Sequence, residues 1–364
     1  MRTIHVDLGR QWRGGQRQCA LLCSRLAAAG HETHLVCRAG APLAVAAAEA
    51  GVGVVPLRPA GLAAWLAPAR IARLVGRTDA TLIAAHEARA LGAVVAARRL
   101  ARSSAAVVYH RRVDVPWGHD RLTRAKLAEV DAFICVSQAV AAIVAAQGIA
   151  AERVAVVHSG VPGLARVAAA RAAWLRRLGH REPLCLLAAV GGLLAHKGHR
   201  VLLDAIVQLN REGMRVHAAL AGSGPLASSL MGQIRACSLE HQVTLLGELD
   251  EVASLLSAAD CYVHPSLTEG LGTSILDAMS IGTAVVAARA GGIPEIVVPG
   301  ETGRLVAPGD AAGLARAIRA VASEPEATRR MAAAARERFR AEFTDRAMAS
   351  GTLAVYERVC SGRA

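Results

Sequence analysis

The stretch His264-Pro-Ser-Leu-Thr-Glu-Gly-Leu-Gly-Thr-Ser-Ile-Leu-Asp-Ala-Met279 follows directly on the apolar run from Asp260 to Val263. An apolar strand, a loop carrying Gly270 and Gly272, and a helical pattern opened by Thr273 and Ser274 stand in that order. The order points backbone N–H groups and the positive end of a helix at one place, the arrangement that receives an anion. The two glycines allow the close backbone approach that a pyrophosphate requires. The hydroxyls of Thr273 and Ser274 stand where they either cap the helix or meet a phosphate oxygen. A helix end contributes only about 0.3–1 kcal/mol, and ~2 when partly buried, so two phosphates need a fixed cation as well.

That cation is read in Ala189-Val-Gly-Gly-Leu-Leu-Ala-His-Lys-Gly198, where Lys197 lies in the loop after the first strand of the same half. All but two of the 42 basic residues are Arg, so Lys126 and Lys197 each invite inspection. The carboxyl ends of parallel strands line one crevice, and Lys197 and the helix at Thr273 converge there on one ligand. An ammonium pairs with a diphosphate as a point charge, each charged hydrogen bond being worth about 1.5–3 kcal/mol. Plainer readings stand beside these: Ser274-x-x-Asp277 is also a capping box, Glu269 also a solvated loop acid, Lys197 also a surface cation. Any one residue alone favours the plain reading; together, in order at strand ends, they favour the ligand site.

The surrounding chain supplies the strands. Thr3 to Leu8, Thr33 to Cys37, Val52 to Leu57, Ala80 to Ala85, Ala105 to Tyr109, Ala132 to Val136 and Val154 to His158 are short apolar runs separated by Ala/Arg amphipathic stretches. After a turn at His158-Ser-Gly-Val-Pro-Gly163 and an Arg-rich helical segment from Arg166 to Leu178, a second series follows. It comprises Leu184 to Val190, Val216 to Ala221, Val243 to Leu246, Cys261 to His264, Ala284 to Ala287 and Gly303 to Val306. Strands alternating with helices imply parallel, doubly wound sheets. The expected division is 1–165, 166–342 and a closing helix 343–364 that packs back on the first domain.

The composition agrees: 364 residues suit two domains, and 53% hydrophobic with only 3% aromatic residues implies cores of Ala, Val, Leu and Ile. A formal charge of +13 favours anionic partners. No zinc-finger spacing or aromatic-rich RNA-binding strand is present, which argues against nucleic acid. The eight cysteines lack CxxC pairs and fall mostly in apolar runs, as free thiols do in reducing compartments. Charge and glycine come early in MRTIHVDLGRQWRGG, and no uncharged run reaches a spanning length, so the expectation is a cytoplasmic protein, peripheral on a membrane at most.

In the first half, Gln11-Trp-Arg-Gly-Gly-Gln-Arg-Gln18 follows the first strand and opens a helix, with Gly14 and Gly15 at the turn and Gln16 after them. Val107-Val-Tyr-His-Arg-Arg-Val-Asp-Val-Pro116 places His110, Arg111, Arg112 and Asp114 just beyond a strand, and His86-Glu87 ends another. A His at a strand end is as readily a backbone-bonded structural residue as a functional one. Eight basic residues lie between Arg98 and Lys126, read either as a solvated face or as a docking surface for anionic lipid or a phosphorylated glycolipid.

Taken in order, Val190 to Gly198, Leu220-Ala-Gly-Ser-Gly-Pro225, Val243 to Gly247, the Glu269 segment, Ala290-Gly-Gly-Ile-Pro-Glu295 and Gly300-Glu-Thr-Gly-Arg-Leu305 resemble the retaining glycosyltransferases of family 4. The resemblance implies a GT-B fold, α/β, with two Rossmann-like doubly wound domains facing across a cleft. It implies that Glu269 contacts donor-sugar hydroxyls, that Asp277 binds the nucleotide ribose where the family usually has Glu, and that Lys197 neutralises the diphosphate. Gly191, Ser266, Gly270, Leu271, Gly272, Thr273 and Ser274 join these on the donor side, with Gly14 and Gly15 beside the diphosphate. On the acceptor side it implies a His near the reacting sugar, assigned to His110, with Gln16, His86, Arg111, Arg112 and Asp114 as further candidates. Where the family often has an Arg five residues before the Lys, this chain has Gly192, and another Arg is expected to share the phosphate charge.

The activity implied is transfer, with retention, of a hexose-type sugar from a UDP-, GDP- or ADP-sugar to a hydroxyl of a glycan or glycolipid acceptor of the cell-envelope type. The nucleotide sugar is a substrate; no cofactor and no metal are expected, since no Asp-x-Asp-like pair is present to hold one. Departure of the diphosphate from an oxocarbenium-like centre is the main catalytic need. Two alternatives share the sequence pattern: a sugar-nucleotide epimerase of the same shape and a nucleotide-binding protein that turns nothing over.

Overall fold

The computed structural model describes residues 1–57, 66–118, 120–181 and 184–362. Among these residues the strands form two wholly parallel sheets. The first sheet takes β1 (Arg2–Asp7), β2 (Glu32–Arg38), β3 (Gly53–Leu57), β4 (Leu82–Ala85), β5 (Ala106–Arg111), β6 (Ala132–Cys135) and β7 (Val154–Val156) in the order β3-β2-β1-β4-β5-β6-β7. The second takes β8 (Cys185–Val190), β9 (Val216–Ala221), β10 (Val243–Gly247), β11 (Cys261–His264), β12 (Ala284–Ala288) and β13 (Arg304–Val306) in the order β10-β9-β8-β11-β12-β13.

Both orders reverse direction once, at β1/β4 and at β8/β11. At such a reversal the crossover helices leave toward opposite faces, and a crevice opens beyond the carboxyl ends of the two strands. The loops after β1 and β4, and after β8 and β11, are therefore the places each sheet offers a ligand.

The strands read as unbroken apolar runs because both faces are covered. In the second unit Leu187, Leu220 and Val286 of the sheet pack with Leu202, Leu203 and Ile206 of the helix His199–Arg211, all fully buried. Alanines on the strands, such as Ala188, Ala218 and Ala219, are equally buried and let helices approach closely in a chain with few rings.

The chain divides into two compact units, Met1–Val161 with Asp345–Ala364, and Pro162–Thr344. The first change of unit falls before Pro162 rather than after residue 165, because Gly163 sits against the Phe339 ring and Leu164 N–H donates to Ser280 Oγ. The Arg-rich helix is shorter than its pattern, Ala170–Arg177, starting after Ala169 in a left-handed conformation. The chain closes on two helices, Pro325–Glu342 and Asp345–Ser361, separated at Phe343-Thr344. The last buries Met348, Val355 and Tyr356 against Leu22, Leu82 and Val108 of the first unit. Among the described residues no helix is long and apolar enough to cross a membrane, and all eight cysteines are free thiols.

Candidate functional site

In the second unit the loop after β8 and the loop after β11 meet at the strand-order reversal. A single 3-10 turn, Ala195–Lys197, ends at Gly198, whose backbone is left-handed with φ of 67°. A Cβ there would stand 1.9 Å from the Pro265 carbonyl oxygen, so only glycine lets the two loops touch. Leu267 N–H then donates to the His196 carbonyl at 2.7 Å. On the other side Gly291, also left-handed, presses on the Glu269 carbonyl, where a Cβ would come within 1.8 Å. The segment from Pro265 to Glu269 is thus held from both flanks by glycines of the Lys-Gly and Ala290-Gly-Gly stretches.

This clamp places charge. Lys197 Nζ donates to Glu269 Oε2 at 2.5 Å, and His264 Nε2 lies 2.9 Å from the same oxygen. Ser266 Oγ is 3.3 Å from that oxygen. The side chains of Lys197 and Glu269 remain 20% and 14% exposed, enough for a ligand to reach both, whereas His264 is enclosed at 4%. Burial opposes ionisation of the Glu269 carboxyl, but the hydrogen bond from His264 and the Lys197 ammonium outweigh it and hold its pKa below the ordinary carboxylate value. Burial likewise pushes the His264 imidazole below its usual range, against the pull of Glu269. A neutral imidazole donating Nε2–H to a carboxylate is the state consistent with both shifts.

His264 is anchored from behind: Tyr262 Oη lies 2.9 Å from its Nδ1 and 2.7 Å from Ser274 Oγ. A buried polar chain therefore runs from Glu269 through His264 and Tyr262 to the first turn of the helix Thr273–Ile281. The N-cap position of that helix is Gly272 (φ 98°), which has no side chain to cap it. Ser274 lies inside the first turn and faces Tyr262, so the capping box expected of Ser274 and Asp277 is not formed. Asp277 is buried, as are Ser266, Gly270 and Leu271. The arrangement offers one ammonium, one fixed carboxylate and one helix N-terminus at a single crevice. This is a donor set for a diphosphate joined to a hydroxyl-bearing group.

Sequence reasoning did not single out His264, Tyr262 or His199. The third is buried at the start of its helix and lies 3.3 Å from the Gly192 carbonyl through Nε2. Burial pushes His199 down to about 4. A histidine inside the apolar strand Cys261–His264 was the available signal for the first two.

In the first unit the polar cluster expected beyond a strand is placed differently. Strand β5 runs on through Arg111, so His110 and Arg111 are buried strand residues and not loop residues. Alternation along the strand then sends them to opposite faces. On one face His5, His86 and His110 stand side by side across β1, β4 and β5: His5 Nδ1 is 2.9 Å from His86 Nε2, and the His86 and His110 rings stack at 4.4 Å. Arg112 Nη1 lies 2.9 Å from His86 Nδ1, and His110 Nε2 is 2.6 Å from Tyr356 Oη of the last helix. The guanidinium can only donate, so His86 accepts at Nδ1 and carries its proton at Nε2. Burial lowers the pKa of both His86 and His110, which are neutral near pH 7. On the other face Arg111 turns toward Tyr109 and lies over the Trp117 ring.

Gly14 and Gly15 open the helix Gly14–Ala28, and a Cβ on Gly15 would meet nothing within 4 Å. Gln16 donates to the Asp7 carboxylate at 3.1 Å. Glu87 caps the helix Ala88–Leu100 through Arg89 and Ala90 N–H. Asp114 lies half-buried in the loop after β5. The basic stretch from Arg98 to Lys126 is not one solvated face: Arg98 and Arg99 both pair with Glu129, and Arg111 is buried.

Two doubly wound parallel units, one carrying a lysine, a carboxylate and a helix N-terminus at its strand-order reversal, define the class of two-domain Rossmann-like proteins of the GT-B kind. Comparison with known proteins makes this specific. Residues 170–338 match the family model of glycosyl transferases group 1, and residues 12–162 match that of glycosyltransferase family 4. The chain belongs to the family 4 glycosyltransferases. Among its relatives are a glycogen synthase of Mycobacterium tuberculosis, 36% identical over 204 residues, covering 54% of this chain and 49% of the relative. A lipopolysaccharide core biosynthesis mannosyltransferase of Rhizobium leguminosarum is 31% identical over 176 residues, covering 47% of this chain and 50% of the relative. The chain spans about half the length of the curated relatives it matches. Among solved structures, Anabaena HepE in complex with UDP and glucose superposes with a TM-score of 0.87 at 23% identity, covering 98% of this chain and 99% of that one. Sucrose-phosphate synthase from Thermosynechococcus elongatus gives 0.82 at 22% identity with full coverage of both chains.

Proposed function

We propose that this chain transfers a hexose-type sugar, with retention, from a nucleoside-diphosphate sugar to a hydroxyl of a glycan or glycolipid acceptor of the cell-envelope type. The observation that carries the reading is the Lys197–Glu269 pair, held at the β8/β11 reversal beside the N-terminus of the helix at Thr273. Family membership and the UDP and glucose held by HepE support it.

In this reading Lys197 and the N–H groups of the first turn after Gly272 receive the diphosphate. They stabilise it as it leaves, when its charge grows and a fixed cation acts most strongly. Glu269, ionised at neutral pH, accepts hydroxyls of the sugar. Asp277 meets the ribose and is short for that task by one methylene against the family's Glu. An Arg from elsewhere takes the part that Gly192 does not supply. His110, His86, Gln16, Arg111, Arg112 and Asp114 serve the acceptor, with His110 the imidazole nearest the reacting centre. The protein works on the cytoplasmic side, where sugar nucleotides are found, with at most peripheral contact with anionic membrane.

The test is nucleoside-diphosphate release from UDP-, GDP- and ADP-sugars with and without candidate glycolipids. Acceptor-stimulated release from one base and sugar is expected. Acceptor-independent rearrangement, or binding with no release from any donor, would replace the reading with an epimerase or a binding protein.

A further inference from the structure

The face of β5 that carries Arg111 borders a cavity in the first unit. This cavity of about 440 Å³ is lined by Arg111, Trp117 and Lys126 together with Leu91, Val113, Val115 and Pro116. Its volume is within the range of small-molecule pockets, about 300–1,000 Å³. None of its described lining residues carries a carboxylate.

Two buried donors in it have no partner among the described residues. Arg111 is 95% withdrawn from solvent, yet its Nε bonds nothing, and the Nε1 of Trp117 is likewise buried and unbonded. The two groups are adjacent, the guanidinium carbon standing 4.6 Å from the Trp117 ring centre. Both atoms are donors only. The partner they lack is therefore an acceptor, and beside a buried guanidinium and the Lys126 ammonium an anionic oxygen satisfies them best. Arg111 makes no ion pair with any described residue; its remaining contact is a 3.5 Å bond to Tyr109 Oη.

The rest of the lining is apolar, and it continues outward. Val113 and Val115 are 49% and 61% exposed and Leu122 is 76% exposed, an unusual run of bare aliphatic surface next to a cationic pocket. A charged hole with an aliphatic lip matches a molecule with an anionic head and an aliphatic chain.

We infer that this pocket binds an aliphatic phosphate ester, its phosphate on Arg111, Trp117 Nε1 and Lys126 and its chain along Val113, Val115 and Pro116. Its use to anchor the acceptor rests on the glycosyl-transfer reading; the binding itself does not.

The experiment is calorimetric titration of the full chain with n-octyl phosphate below its micellar concentration. Octyl glucoside, inorganic phosphate and anionic phospholipid vesicles are the comparison ligands. Saturable one-site binding of octyl phosphate is expected, at least tenfold tighter than octyl glucoside or phosphate alone. Because Arg111 is buried and its replacement threatens folding, the deciding variants are at the rim: Val115→Asp should weaken octyl phosphate about tenfold or more, and Lys126→Ala severalfold. Equal affinity for octyl glucoside, undiminished binding in both variants, or binding to vesicles but never to the monomeric ester would overturn the site. Octyl phosphate binding in a chain that releases no nucleoside diphosphate from any donor would sink the transfer reading and leave the pocket standing. Release without octyl phosphate binding would do the reverse.

Discussion

Glu269→Gln keeps the shape of the side chain and removes its charge, and the geometry assigns it opposite effects on two measurable quantities. In the native site Oε2 is shared by Lys197 Nζ at 2.5 Å, His264 Nε2 at 2.9 Å and Ser266 Oγ at 3.3 Å. Removing one partner of a buried pair costs about 3–5 kcal/mol, and an exposed pair is worth ~0–1. With side chains 20% and 14% exposed the Lys197–Glu269 pair lies between, so a loss of about 2 kcal/mol in unfolding free energy at pH 7 is expected. The folded pKa of Glu269 is depressed, so its contribution is present above the ordinary carboxylate value and is lost as pH falls through the folded one. The wild-type and Gln proteins should therefore converge only in strong acid.

Binding should move the other way. A diphosphate must take Lys197 from Glu269, and a competing contact of ~1 kcal/mol corresponds to about fivefold in affinity. Glu269→Gln should thus bind UDP up to about fivefold more tightly while losing about 10- to 100-fold in kcat/KM for the sugar donor, the worth of one charged hydrogen bond to a hydroxyl. Lys197→Ala should weaken both. Calorimetry with UDP and a coupled release assay read the two quantities separately. If Glu269→Gln weakens UDP as much as Lys197→Ala does, the carboxylate is not the competitor and the division of roles is wrong.

Gly198→Ala forces a Cβ to within 1.9 Å of a carbonyl oxygen at a left-handed φ, and more than about 2 kcal/mol of stability should be lost along with donor turnover, read by urea unfolding and release. Gly192→Arg is the converse: its φ is not left-handed and its Cβ meets nothing nearer than Leu194 Cδ1 at 3.4 Å, so the protein should stay folded and bind UDP about tenfold more tightly, and an unchanged Kd would show that no phosphate contact was lacking there. Burial holds His199 near 4 against ~6.5 unfolded, so its contribution is full above pH ~6.5 and is lost as pH falls through about 4, about 3 kcal/mol in all. The stability gap between wild type and His199→Gln, measured by urea unfolding at pH 7 and at pH 4.5, should shrink in acid; a constant gap would contradict the neutral burial of this imidazole. His264→Phe removes the link from Tyr262 to Glu269, and kcat should fall with its pH profile displaced while UDP affinity holds, whereas a purely structural role would leave the profile in place.

The strands were legible because parallel strands covered on both faces are continuous apolar runs, and every expected run from Thr3 to Val306 overlaps one. Their ends were less so. His110 and Arg111 break the apolar run by chemistry but not by backbone, so β5 was read as stopping two residues short and the two faces of the strand were merged into one cluster. Lys197 and Glu269, proposed here to receive the donor, were singled out in the sequence by order and spacing. Their mutual ion pair was not, since 72 residues separate them and only the fold makes them neighbours. The same holds for the grip of Gly198 and Gly291 on the 265–269 loop, which depends on backbone contacts that leave no periodic trace. The orphaned donors of Arg111 and Trp117 are likewise invisible in a sequence, because a missing partner is a property of three-dimensional packing.

In the proposed reaction Lys197 carries the charge of the leaving diphosphate. Release of nucleoside diphosphate from a UDP-, GDP- and ADP-sugar panel, by wild type and by Lys197→Ala, tests it most directly. Release from one donor by the wild type, abolished in Lys197→Ala with the fold intact, is the predicted result. An unaffected rate in the variant would contradict the account.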